Sequence, residues 1–108
     1  MILRVWRARS LAIGVARYLS HFENTVVPEL QALSGFQGAT LSRRSVGDAV
    51  EIRVETRWAS LDAVRAFAGT DIEAAVVEPD AREVLIDYDE RVAHYEIIAE
   101  AQGAARPN

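Results

Sequence analysis

The stretch Gly47-Asp48-Ala49-Val50-Glu51-Ile52-Arg53-Val54-Glu55-Thr56-Arg57-Trp58 decides the fold. Val50, Ile52, Val54, Thr56 and Trp58 alternate with Glu51, Arg53, Glu55 and Arg57, the period of two that puts successive side chains on opposite faces of a strand. One face meets a core and the other meets water or a partner. Gly47-Asp48 suits a tight hairpin turn, and Phe36 to Val46 on its other side supplies the first arm.

Outward from this hairpin, residues 2 to 9 mix β-formers with arginines and read as a strand that is not buried on both faces. Ile2, Arg4 and Trp6 alternate with Leu3, Val5 and Arg7, and both sets are mixed, so the inward face is open. Ser10 offers an N-cap hydroxyl. From Leu11 the period changes: Val15, Tyr18, Leu19, Phe22 and Val26 follow at helical spacing, with a kink or restart expected at Pro28 and an end at Ser34-Gly35. Ser60 caps a helix over Leu61 to Ala68 that Gly69 closes. Thr70 and Glu73 have capping-box spacing for a short helix over Asp71 to Val77, and Pro79 starts another through Tyr88. Val92 to Ile98 is the last strand, and residues 99 to 108 form a flexible C-terminal tail after a domain spanning 1 to 98.

The order is β-α-β-β-α-β, an α+β, ferredoxin-like pattern: an antiparallel four-stranded sheet with helices on one face. The uncovered face of so small a domain is expected to pair with a second copy, giving a homodimer through sheet faces.

Composition removes several chemistries. The 108 residues suit one domain. Cysteine is absent, so disulfides, thiolate nucleophiles and cysteine-type zinc sites are excluded; all twelve basic residues are arginine, so no lysine can form a Schiff base. The net charge of −4 argues against a nucleic-acid partner. It divides unevenly, with eight Arg against five acids (+3) over residues 1–58 and four Arg against eleven acids (−7) over residues 59–108. No apolar run approaches the roughly 20 residues of a membrane span, and the start lacks a secretory signal, so a cytoplasmic protein with no membrane partner is expected. The two histidines, His21 and His94, show no metal-ligand spacing, and the glycines form no phosphate loop; no metal and no flavin or nicotinamide cofactor is indicated.

The opening Met1-Ile2-Leu3-Arg4-Val5-Trp6-Arg7, the segment from Trp58 through Ser60-Leu61-Asp62-Ala63-Val64-Arg65-Ala66-Phe67-Ala68-Gly69 to Val77, and the ending Asp89 to Ile97 together resemble the antibiotic biosynthesis monooxygenase (ABM) domain family. The likeness runs over about residues 1 to 98. It implies a dimeric α/β barrel with a small cavity between sheet and helices in each protomer. Family members include cofactor-independent oxygenases of anthrone-like phenols and degraders of haem, and fold alone does not choose among them. The Trp and proximal His positions of the haem-degrading branch fall at Phe67 and Val77, which cannot ligate iron. The anthrone-oxidising branch has an Asn where this chain has Val54, which leaves an oxyanion needing another donor.

The expected function is therefore cofactor-independent oxidation of a small aromatic molecule; the alternative is a non-catalytic dimeric barrel that binds a metabolite or serves as an interaction module. His94 is the candidate catalytic proton acceptor, against a purely structural hydrogen-bonding role for the same imidazole. Trp6, Trp58, Tyr18, Phe22 and Phe67 are the substrate-binding candidates, each with core packing as its other reading. Arg4 and Arg57 are expected to form ion pairs with Glu51, Glu55 or Glu96 at a dimer interface rather than to orient a substrate.

Overall fold

In the computed structural model, which describes residues 1–104, the hairpin is as the alternation requires: β2 (Phe36–Val46) and β3 (Ala49–Trp58) pair antiparallel from Val46↔Ala49 outward, with Gly47 at a positive φ of 60° in the turn. Val50, Ile52, Val54, Thr56 and Trp58 are all buried. On the opposite face Glu51 and Glu55 pair with Arg44 and Arg53 of the same chain.

β1 (Ile2–Leu11) lies on the other edge of β3, with registers Arg4↔Thr56, Trp6↔Val54 and Ala8↔Ile52. These pairs place Arg4, Trp6, Ala8 and Ser10 on the inner face, which settles the face that the sequence leaves open. The strand runs two residues further than expected because Ser10 and Leu11 pair with Val50 and Ala49. Ser10 is consequently not a helix cap: its wholly buried hydroxyl donates to the Val84 carbonyl at 3.0 Å, and Leu11 occupies the cap position. Gly14 sits so close to Ser10 that an added Cβ would lie 2.4 Å from its Oγ.

α1 (Ala12–His21) passes without a break through a π-helical turn (Phe22–Val26) into α2 (Val27–Gln31). Pro28 has no amide hydrogen and its ring crowds the carbonyl four residues back. The chain accommodates this with the wider turn just before it, where Val27 N–H reaches back to the Phe22 carbonyl. α3 (Leu61–Ala68) is the expected helix, with Ser60 Oγ accepting from Ala63 N–H at 3.2 Å and Gly69 at φ 86° closing it.

The segment after α3 departs from expectation. Residues 71–77 do not form a helix; Ala75 N–H donates to Glu90 O at 2.9 Å, Val92 N–H donates to Glu73 O at 2.8 Å, and Ala74 bridges Arg91. These non-local hydrogen bonds, with Arg91 gripping Asp71 and Glu73, outcompete a capping-box signal that acts over four residues only. The helix expected from Pro79 to Tyr88 stops after one turn, α4 (Pro79–Arg82), because Asp87 and Tyr88 form β4 against Arg9 and Ala8. β5 is Ala93–Glu96, shorter than the expected Val92 to Ile98, and pairs with Ile2 to Val5. The sheet therefore has five strands, not four: β2-β3-β1 and then β4 and β5 sharing the second edge of β1. It is antiparallel, with the helices on one face. Residues 99–104 of the expected tail have no regular structure and are exposed, and the remaining four lie outside the described residues. Among the described residues no helix is long and apolar enough to cross a membrane.

Two clusters fill the space between sheet and helices. One gathers Tyr18, Phe22, Ile52 and Val54, with Trp6 and Tyr88 at its edge; the other gathers Leu30, Trp58 and Val64, with Phe36 and Phe67 against them.

Candidate functional site

Between the two clusters the inner face of the sheet is not filled. A cavity of about 60 Å³, open to solvent, lies there, floored by Arg4, Trp6, Val54 and Thr56 and walled by side chains from α1, α2, α3 and the segment 76–81. The register explains the floor: directly opposed residues on neighbouring strands share a face, so Thr56, Arg4 and His94 form one row across β3, β1 and β5, and Val54 and Trp6 form the next.

Arg4 is the unexpected member. It is only 4% exposed and carries no carboxylate partner among the described residues; its guanidinium donates to the carbonyls of Ile72 and, at 2.8 Å, Ala74, and its Nη1 lies 2.9 Å from His94 Nε2. Its Cζ sits 5.6 Å from the centroid of the Phe67 ring. Burial lowers its pKa to about 10, which leaves it charged at neutral pH. The expected interface ion pair is thus replaced by a buried cation facing a cavity. Arg57, the other arginine assigned to such a pair, lies on the outer face and within this chain donates to Thr40 Oγ1.

His94 lies on the inner face, but its Nε2 is turned to Arg4 and it does not line the cavity. Burial first, and then the charge of Arg4, hold its pKa below the ordinary histidine value, against a smaller opposing effect of Glu73. A neutral imidazole whose acceptor nitrogen faces a guanidinium has no lone pair to offer a ligand in the cavity. The structure places His94 as a partner of Arg4, one side chain back from the cavity.

The five aromatic candidates separate. Trp6, Tyr18 and Phe67 line the cavity. Trp6 is half-buried, donates through Nε1 to Asp89 O at 2.9 Å and packs against Tyr18 and Tyr88 with centroids 6.1 and 6.3 Å away. Trp58 does not line the cavity: it is completely buried, stacked on Phe67 at 5.6 Å, edge-on to Phe36 at 5.5 Å, with its Nε1 satisfied by Thr56 Oγ1 at 2.8 Å. Phe22 is likewise core, buried against Tyr18, Ile52 and Val54 and absent from the cavity lining. Val54 and Val77, the positions at which the resemblance located an Asn and a haem-ligating His, are both apolar cavity wall.

The same cavity is lined by His21, Glu29 and Glu78; sequence reasoning considered His21 only as a metal ligand and neither glutamate at all. A hydrogen bond that the protonated Glu78 carboxyl donates to Glu29, then burial and the charge of Glu29, push Glu78 above its ordinary value, opposed by His21. Burial, and then the Glu78 carboxylate, push the Tyr18 phenol up as well. The signal for His21 is present in the sequence, three residues after Tyr18 on one helical stripe. Glu78 carries no such signal, because its position depends on where 71–78 crosses the sheet end. Among the described residues no group of three or more His, Asp or Glu side chains could hold a metal ion. The site can therefore offer one fixed cation, apolar and aromatic walls, and a carboxyl pair able to exchange a proton.

No family model matches the chain, and no curated protein matches it by sequence. Solved structures do. An antibiotic biosynthesis monooxygenase-type protein from Bacillus cereus superposes with a TM-score of 0.68 at 17% identity, over 94% of this chain and 97% of that one. The heme-degrader MhuD from Mycobacterium tuberculosis, solved with two hemes in its active site, gives 0.60 at 18% identity over 94% and 100%. A monooxygenase from the gene ActVA-Orf6 of Streptomyces coelicolor, solved in complex with nanaomycin D, gives 0.58 at 16% identity over 99% and 92%. The chain has the fold of the antibiotic biosynthesis monooxygenase-type proteins.

Proposed function

We propose that the chain is a cofactor-independent oxygenase of a small phenolic molecule, bound between sheet and helices with its hydroxyl oxygen at Arg4. The observation that carries this reading is a buried guanidinium with no carboxylate partner, opening on a cavity walled by Trp6, Tyr18 and Phe67. Arg4 supplies the positive charge that Val54 cannot supply as a hydrogen-bond donor, and lowers the cost of ionising the phenol. The ionised member of the Glu29–Glu78 pair, in which Glu78 is the more basic because its pKa is raised, takes the hydroxyl proton. The phenolate then gives electrons to molecular oxygen: one oxygen atom enters the ring carbon para to the hydroxyl. The other leaves as water with the hydroxyl hydrogen and the displaced ring hydrogen, so that the phenol loses four electrons and ends as a quinone. No external reductant is required. Two copies pair through the outer sheet face, where Leu3, Val5 and the exposed Tyr95 surround a shallow groove. The cytoplasm is the compartment this reading assumes.

One observation favours the interaction-module form of the alternative. At about 60 Å³ the cavity is well below the roughly 300–1,000 Å³ of common ligand sites. A single ring enters only if the segment 76–78, which has no regular structure, gives way; a porphyrin is far larger still. Oxygen consumption with a panel of phenols, hydroquinones and anthrones separates the two readings. Uptake matched by quinone formation, and lost in Arg4→Met, is expected. Binding of a phenol without any oxygen uptake above buffer would leave the metabolite-binding module as the function.

A further inference from the structure

A guanidinium has five N–H donors. In Arg4 both on Nη1 are engaged, by Ile72 O and His94 Nε2, and one on Nη2 is engaged by Ala74 O. The Nε–H and the second Nη2–H remain, and Arg4 is the one arginine among the cavity-lining residues. A guanidinium edge with two donors matches the two oxygens of a carboxylate or the single charged oxygen of a phenolate. Its orientation depends on three acceptors. Two are carbonyls of the segment 72–74, themselves positioned by the Ala75–Glu90 and Glu73–Val92 backbone hydrogen bonds. The third is the His94 imidazole, which is opposite Arg4 in the β1–β5 register. Of the three, only His94 changes character with pH: as a neutral ring it accepts through Nε2, and as a cation it can only donate.

We propose that Arg4 and His94 form a single pH-gated anion site, in which neutral His94 holds the guanidinium aimed at the cavity for a small organic monoanion and protonation of His94 releases it. The ligand class is a carboxylate or phenolate borne on a small, flat body. His94 is a positioning residue, acting through Arg4. This rests on the reading that the cavity is the ligand site, and it adds which charge the ligand carries and when it is held.

The groups that face His94 decide the sign. Arg4 lies against it from β1 and opposes its protonation; Glu73, from the segment after α3, favours it, but is itself engaged by Arg91. Below the histidine transition two cations and two donors would meet head-on at 2.9 Å. The pair must separate, and the guanidinium loses its fixed aim. A carboxylate ligand is largely ionised down to about pH 5.5, so loss of binding above that pH reports on the protein, and below it the ligand's own protonation is subtracted.

Acetate and benzoate are the probes, titrated by isothermal calorimetry and by side-chain ¹⁵N spectra of the full chain between pH 5 and 8. His94 is expected to show an unprotonated Nε2 and a transition below the ordinary histidine value, moving up in Arg4→Met. Benzoate affinity is expected to fall about tenfold for each pH unit below that transition. His94→Leu should weaken binding at every pH, whereas His94→Gln, whose amide oxygen still accepts from Arg4, should restore binding and abolish its pH dependence. Binding that improves on acidification, or that is unaffected in His94→Leu, overturns the proposal. If neither anion binds, the site does not exist; if acetate binds and benzoate does not, the anion site stands and the aromatic-substrate reading fails.

Discussion

The two tryptophans mark two halves of one sheet face that do opposite work. Trp58 stands in a sealed half: α3 lies over it, Phe36 and Phe67 press on its ring, and no part of it reaches solvent. Trp6 stands four residues' register away in an open half, half-buried, with its indole N–H on a loop carbonyl and one side toward the cavity. Both rings are large, flat and apolar with one donor, so composition treats them alike. What separates them is the element above each: an eight-residue capped helix over Trp58, and a segment tied down chiefly by backbone hydrogen bonds near Trp6.

That contrast breaks most directly by removing each ring. Trp58→Ala should cost about 3–5 kcal/mol in urea unfolding, as for a large side chain taken from a sealed core. Trp6→Ala should cost roughly half as much, because less apolar surface returns to water, while enlarging the cavity and strengthening binding of a phenol such as 4-nitrophenol. Equal losses would mean that the two halves are equally packed and that there is no cavity to speak of. A smaller effect is expected from Ser60→Ala, which removes the cap of the helix sealing Trp58 and should cost about 1 kcal/mol without altering ligand binding.

The smallest effect belongs to the open half alone. Glu78 has a raised carboxyl pKa in the folded state, so the native protein holds a proton that the unfolded chain has already given up. Its contribution is present at low pH and is lost as pH rises from the unfolded value of 4.5 through the higher folded value. Glu78→Gln should therefore be neutral near pH 4, increasingly stabilising through that window and constant above it, measured as the difference in urea midpoints. A Glu78→Gln curve parallel to the parent at all pH values would show that Glu29 and Glu78 do not share the opening.

Elements whose signals are local were legible from residue order. The alternation of Val50 to Trp58, the Gly47-Asp48 turn, the Ser60 cap and the Gly69 stop each act within a few residues, and each stands where the pattern puts it. Thr70 and Glu73 are equally good local signals and misled, because Ala75 and Val92 find hydrogen-bond partners 15 and 19 positions away in sequence. The division of the last edge into β4 and β5 follows from the same crossing. Within the site, the inward row of β3 was readable, and Tyr18 with it; the choice between Arg4 as an interface charge and Arg4 as a cavity charge was not.

The order of residues was enough to establish an antiparallel α+β sheet with one apolar face, since side-chain period and turn chemistry are properties of neighbouring positions. The cavity, and the cation within it, were decided only by the folded chain. Arg4 meets Ile72, Ala74 and His94 across separations of 68, 70 and 90 positions. Contacts of that kind leave no periodic trace in a sequence, because nothing but the closing of the sheet brings their partners together.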